Sequence, residues 1–170
     1  MGNRPTHEEL EEKVRSQEQE ALAFGVEARS PQEPPGGTER ILLVDDEKLL
    51  LELLGELLGR FGYTPLFAES GESALEILKA EGSRIDMVVL DLSMPGMGGF
   101  RCLQEMLGMD PNLRVLIASG YSANRKVNEA LKSGAAGFVA KPYHYSHMLQ
   151  KIREILDDGR RHKGTKRRER

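Results

Sequence analysis

Four short apolar runs in this chain each end at a side chain able to do chemistry, and that repetition limits the folds open to it. Residues 41–44 run into the acidic pair Asp45-Asp46, and residues 87–90 into Asp91. Residues 115–118 end at Ser119, and residues 138–140 at Lys141, which opens a K-P dipeptide. Continuous apolar runs of this length suit strands buried on both faces. Residues 63–67 read as one further strand. Between the strands the apolar period lengthens to that of a helix. Residues 47–60 carry Leu50, Leu53, Leu54, Leu57 and Leu58, then Phe61, as the expected buried stripe, stopped by Gly62. Ser70 or Gly71 opens a helix with Ala74, Leu75 and Leu78 facing inward. Residues 99–107 carry Phe100, Leu103, Met106 and Leu107, and residues 123–132 are helical again. Residues 145–157 close the series with Met148, Leu149, Ile152, Ile155 and Leu156.

Five strands alternating with five helices imply one parallel sheet with helices on both faces, an α/β doubly wound (βα)5 fold. The flavodoxin-like strand order 2-1-3-4-5 fits best, because it makes strands 1 and 3 neighbours at the switch point. Those strands end in Asp45-Asp46 and Asp91, so the topology itself brings the acids together. The expected domain covers residues 39–158. Residues 1–38 read as a leader, with a polar, Glu-rich helix over 6–29 and a flexible R-S-P-Q-E-P-P-G-G-T linker. Residues 159–170 read as a disordered basic tail.

Charge follows the same division. The net −3 of the 170 residues splits into −4 for the leader, −5 for the domain and +6 for the tail. Nucleic acid is not an expected partner except through that tail. The single cysteine, Cys102, excludes an internal disulfide and suits a small core position. The N-terminus lacks an apolar signal region and no run is long enough to span a bilayer, so a soluble, cytoplasmic protein without membrane insertion is expected.

Three carboxylates, one hydroxyl and one ammonium at a single sheet edge can bind a divalent metal and accept a phosphoryl group. The carboxylates repel one another unless a cation compensates. Magnesium suits them, being hard and content with one or two carboxylates, waters and phosphate oxygens. Asp46 and Asp91 are the expected direct ligands, with Asp45 acting through water and the backbone carbonyl of Ser93 completing the set. Asp45-Asp46 also suit the start of a helix. Asp91 opens the loop D-L-S-M-P-G-M-G-G, which leaves its carboxylate room to attack phosphorus and form a mixed anhydride. Lys141 would pair with Asp91 before transfer and with a phosphoryl oxygen afterwards. Ser119 would hydrogen-bond another.

The runs I-L-L-V-D-D-E, V-V-L-D-L-S-M-P-G-M-G-G, L-I-A-S-G-Y and G-F-V-A-K-P-Y closely resemble the receiver domain of two-component response regulators. The resemblance covers residues 39–157. It implies that Asp91 is the phosphoacceptor, that Asp45 and Asp46 bind magnesium, and that Ser119 and Lys141 form the switch pair. It also implies that Phe138 is an aromatic that turns inward on phosphorylation, altering the face of the fourth helix, fifth strand and last helix. The implied partners are a histidine kinase or histidine phosphotransfer protein, a downstream protein and a weak homodimer. No turnover activity is implied. Ser93 and Tyr121 occupy positions that tune the phosphoryl lifetime in this family, and the bulk of Tyr121 points to slow self-hydrolysis. Tyr143 replaces the more usual phenylalanine after K-P, and it, His144 and His147 are expected at the surface.

The S-G-Y segment, the closing helix and E-E-L-E-E-K-V-R also resemble the C-terminal receivers of hybrid sensor histidine kinases, an alternative home for this domain. Past residue 158 only the basic tail is read, with no DNA-binding output domain. Two other classes fit less well. Aspartate-nucleophile phosphatases carry a second acid two residues after the nucleophile, where Ser93 stands here. A flavin binder would not place D-D-E where a phosphate must be cradled.

Overall fold

The computed structural model describes residues 34–120 and 124–165, with side chains omitted at Asn124 and from Gly159 onward. The leader helix, Tyr121 and residues 166–170 therefore lie outside the described residues. Five strands, β1 (Arg40–Val44), β2 (Thr64–Ala68), β3 (Met87–Asp91), β4 (Val115–Gly120) and β5 (Gly137–Lys141), alternate with five α-helices. These are α1 (Lys48–Arg60), α2 (Gly71–Glu81), α3 (Gly99–Met109), α4 (Asn124–Lys132) and α5 (Tyr145–Thr165). All strand pairs are parallel and the order is β2-β1-β3-β4-β5, as the alternation predicts.

Alternation along each strand divides the core into two layers. Leu42, Val44, Val88, Leu90, Val115 and Ile117 face the cluster built with α2, α3 and α4. Ile41, Leu43, Met87, Val89, Leu116 and Ala118 face the cluster built with α1 and α5. Cys102 is fully buried in the first layer. The expected inward positions of α2 and α5 are all buried.

Helix α1 departs from expectation in phase. Its buried stripe is Leu51, Leu54, Gly55 and Leu58, whereas Leu53 is 63% exposed. Leucine occupies seven positions between 49 and 58, so several stripes satisfy a helical period. Gly55 lies on the stripe that forms, where a Cβ would meet the ring of Phe67 on β2. Gly62 lies just past the C-cap Phe61 at φ +89°, the left-handed turn that stops the helix as expected.

Both ends of the domain also differ from expectation. Residues at the close of the expected linker are pinned: Gly37 N–H donates to the Phe61 carbonyl (3.0 Å), and the Tyr63 hydroxyl donates to the Pro35 carbonyl (3.5 Å). Helix α5 continues to Thr165, so the backbone of 159–165 is helical where a tail was expected. No proline interrupts this stretch, and cations in a last helical turn complement the helix dipole. Glu39, at the start of β1, receives a bidentate ion pair from Arg153 on α5 (2.8 and 3.1 Å), and Arg153 also contacts Asp157 (2.9 Å).

Candidate phosphoacceptor site

The carboxyl ends of β1 and β3 bring oxygens of Asp45, Asp46 and Asp91 within 4.8 Å of one another. Asp45 and Asp91 are buried, and Asp46 is exposed. Backbone donors fix the two buried acids: Glu47 N–H donates to Asp45 Oδ1 (2.9 Å) and Ser93 N–H to Asp91 Oδ1 (3.0 Å). The loop after β3 folds close beneath Asp91 because residue 99 is glycine. A Cβ there would collide with the Asp91 carbonyl.

Lys141 reaches this pair from the end of β5. Its Nζ lies 2.7 Å from Asp45 Oδ2 and 3.5 Å from Asp91 Oδ2. The ammonium was expected to pair with Asp91, but it is closer to Asp45, and three N–H donors let it face both acids. Burial alone would depress the Lys141 pKa. The hydrogen bond to Asp45 and the charges of both carboxylates outweigh burial and raise it. Burial also pushes the Asp91 carboxyl above its ordinary value, against the opposing pull of Ser93 N–H and Lys141.

Strand register places the hydroxyl. Asp91 pairs with Ala118, Ser119 with Ala140, and Gly120 with Lys141, so Ser119 stands on the strand between the acid and the ammonium. Its Oγ is fully buried and has no hydrogen-bond partner among the described residues. Such an atom suits a ligand oxygen that arrives later. Phe138, opposite Ile117 on β5, is half-buried against the α2/α3/α4 layer.

Magnesium fits the donor set. One ammonium against three carboxylates leaves excess negative charge, and the donors are all hard oxygens. Both oxygens of Asp45 accept hydrogen bonds, from Glu47 N–H and Lys141.

His144 and His147 are exposed, as expected. Tyr143 is not a surface residue: its ring packs on the α1/α5 layer and its hydroxyl is buried. Burial, with the charges of Asp45, Asp91 and Glu47, pushes its pKa up to about 12. An apolar groove of about 610 Å³ was also unforeseen. Leu50, Leu53, Leu54 and Leu57 of α1 line it with Pro142, Tyr143 and Tyr145, and Glu47 and Lys141 connect it to the acidic site. The surplus of leucines in α1 was its only trace in the sequence.

A five-stranded doubly wound sheet thus carries an acidic, lysine-paired cluster at its switch point. The sequence pattern of the response regulator receiver domain matches residues 41–153. Chemotaxis protein CheY of Treponema pallidum is 32% identical over 126 residues, spanning 74% of this chain and 88% of that protein. Sporulation initiation phosphotransferase F of Bacillus subtilis is 35% identical over 118 residues, 69% of this chain and 94% of that one. A solved response regulator receiver domain protein from Clostridium thermocellum superposes with a TM-score of 0.70 at 28% identity, over 72% of this chain and 97% of its own. The chain belongs to the response regulator receiver family and carries a receiver domain of two-component signal transduction. No helix of the described residues is long and apolar enough to cross a membrane.

Proposed function

We propose that Asp91 accepts a phosphoryl group from a histidine kinase or histidine phosphotransfer protein, and that the modified domain then engages a downstream partner. The observation that carries this reading is the buried Asp91 carboxylate facing Lys141, with the Ser119 hydroxyl, which has no hydrogen-bond partner among the described residues, on the strand between them. An Asp91 oxygen forms the new bond to phosphorus as the donor's bond breaks, and the electron pair leaves with the donor's imidazole nitrogen or, for acetyl phosphate, with the acetate oxygen. Lys141 then holds one phosphoryl oxygen and Ser119 donates to another. Asp46 and Asp91 would hold magnesium directly, with Asp45 acting through water and the Ser93 carbonyl completing the protein's ligands. The ion supplies charge neutralisation at the transferring oxygens.

Ser119, drawn to the phosphoryl group, pulls in the chain that follows it, and Phe138 turns inward. The face formed by α4, β5 and α5 changes as a result. The groove beside Lys141 suits the donor protein, because an apolar helix face laid there brings its histidine to the same edge of the sheet as Asp91. The domain works as a switch in the cytoplasm without turning over a substrate, and a weak homodimer is a further consequence of the changed face.

Incubation with magnesium and acetyl phosphate, followed by intact mass measurement, tests the chemistry. The wild type is expected to gain about 80 Da, one phosphoryl group, and Asp91→Ala to gain nothing. An adduct on Asp91→Ala, or none on the wild type, would remove Asp91 from the role.

A further inference from the structure

Tyr143 follows Lys141 by two residues, and its buried phenolic oxygen has no hydrogen-bond partner among the described residues. A buried hydroxyl left in that state is destabilising. The same residue lines a small cavity with Asp45 and Asp91, whose remaining wall is aliphatic side chains of β1, α1, β3 and β4. The cavity measures about 10 Å³, at the lower limit for the centre of one water molecule. Such a water would have three polar side chains around it: one phenol able to donate and two carboxylates able to accept. It would accept from Tyr143 and donate once to each acid, which satisfies the phenol and both protons of the water.

We propose that Tyr143 is a positioning residue of the phosphoacceptor site, its hydroxyl donating to a single buried water that in turn donates to Asp45 and Asp91. The water fixes the orientation of both carboxylates before the cation and phosphoryl group arrive. Asp45 is then held from three sides, by Glu47 N–H, Lys141 and the water. Orientation of ligands by such outer partners is a general determinant of metal affinity. This inference rests on the receiver reading of the site.

The test compares wild type with Tyr143→Phe, which keeps the ring and removes only the hydroxyl. Magnesium affinity is read from the rise in melting temperature with magnesium concentration, and separately from the magnesium needed for half-maximal phosphorylation by acetyl phosphate. Tyr143→Phe is expected to raise the magnesium requirement about 3- to 10-fold in both assays, the range of one hydrogen bond. The acetyl phosphate concentration for half-maximal rate is expected to stay the same. A higher melting temperature in Tyr143→Phe with an unchanged magnesium requirement would show an isolated hydroxyl and overturn the proposal. A high-resolution crystal structure of the wild type adds an independent criterion: no water between Tyr143 and the two acids sinks it. A wild type that binds magnesium yet takes no phosphoryl group would refute the receiver chemistry alone, because the melting and crystallographic readouts of Tyr143 do not depend on phosphorylation.

Discussion

Asp91 holds its charge against its surroundings. Its carboxyl titrates above the ordinary value of 3.8, chiefly through burial, so the folded chain binds that proton more tightly than the unfolded one. The stability it contributes is complete below 3.8 and is lost as pH rises through the raised value. Asp91→Asn cannot ionise. In magnesium-free buffer at neutral pH it is expected to be more stable than the wild type by about 1 kcal/mol, with the gap narrowing as pH falls. Urea melts at several pH values check this, and a less stable asparagine variant would mean that Lys141 already compensates the charge. Lys141 has the same sign at the other end of the scale. Its pKa is raised above 10.5, so its contribution is complete below that value and disappears in stronger alkali. Lys141→Met is expected to cost about 2 kcal/mol at neutral pH and to flatten that alkaline limb of the stability profile. The gathering of the candidate site at one sheet edge was legible in the sequence because Asp45, Asp91, Ser119 and Lys141 each end an apolar run, and parallel strands align their ends. Their pairing was not legible. Whether Lys141 lies nearer Asp45 or Asp91 depends on side-chain reach across three strands, and the burial of the Tyr143 hydroxyl depends on how α1 packs above it.

Helix α1 shows what periodicity does and does not fix. The helix itself was plain, and its phase was not, because leucines flank the true stripe on both sides. The structure separates them sharply, with Leu58 at 1% exposure and Leu53 at 63%. Leu58→Ala is expected to cost about 3 kcal/mol through the cavity it leaves, whereas Leu53→Glu is expected to fall within about 0.5 kcal/mol of the wild type. Chemical denaturation measures both. Leu53→Glu is also expected to slow phosphoryl transfer from a donor protein while leaving uptake from acetyl phosphate unchanged, since only the protein donor needs the groove. Equal rates from the donor protein would move its docking surface elsewhere. Exposed leucines on an otherwise well-packed helix carry this meaning only once the buried set is known.

Across the whole molecule, topology was the most legible level. Strict alternation of strand and helix leaves few arrangements, and the acidic strand ends favour the one in which β1 and β3 are neighbours. The ends of the domain were less legible, since neither the hydrogen bonds at Gly37 and Tyr63 nor the length of α5 follows from composition. The pair between Glu39 and Arg153 joins the first strand to the last helix, and both side chains are largely buried. Arg153→Met is expected to cost about 2–3 kcal/mol, because it strips a buried carboxylate of its main counter-charge. A calorimetric melt unchanged from wild type would show that the pair is dispensable. The same contact has a consequence for architecture. Glu39 stands at the start of β1, at the pole of the sheet opposite the acidic residues, and Arg153 meets it there. The described chain thus begins its first strand and runs its last helix past one common pole, opposite the acidic cluster. A module wired in this way can be spliced into a longer polypeptide, or have its ends rejoined and reopened elsewhere, without any connecting segment crossing the acidic cluster.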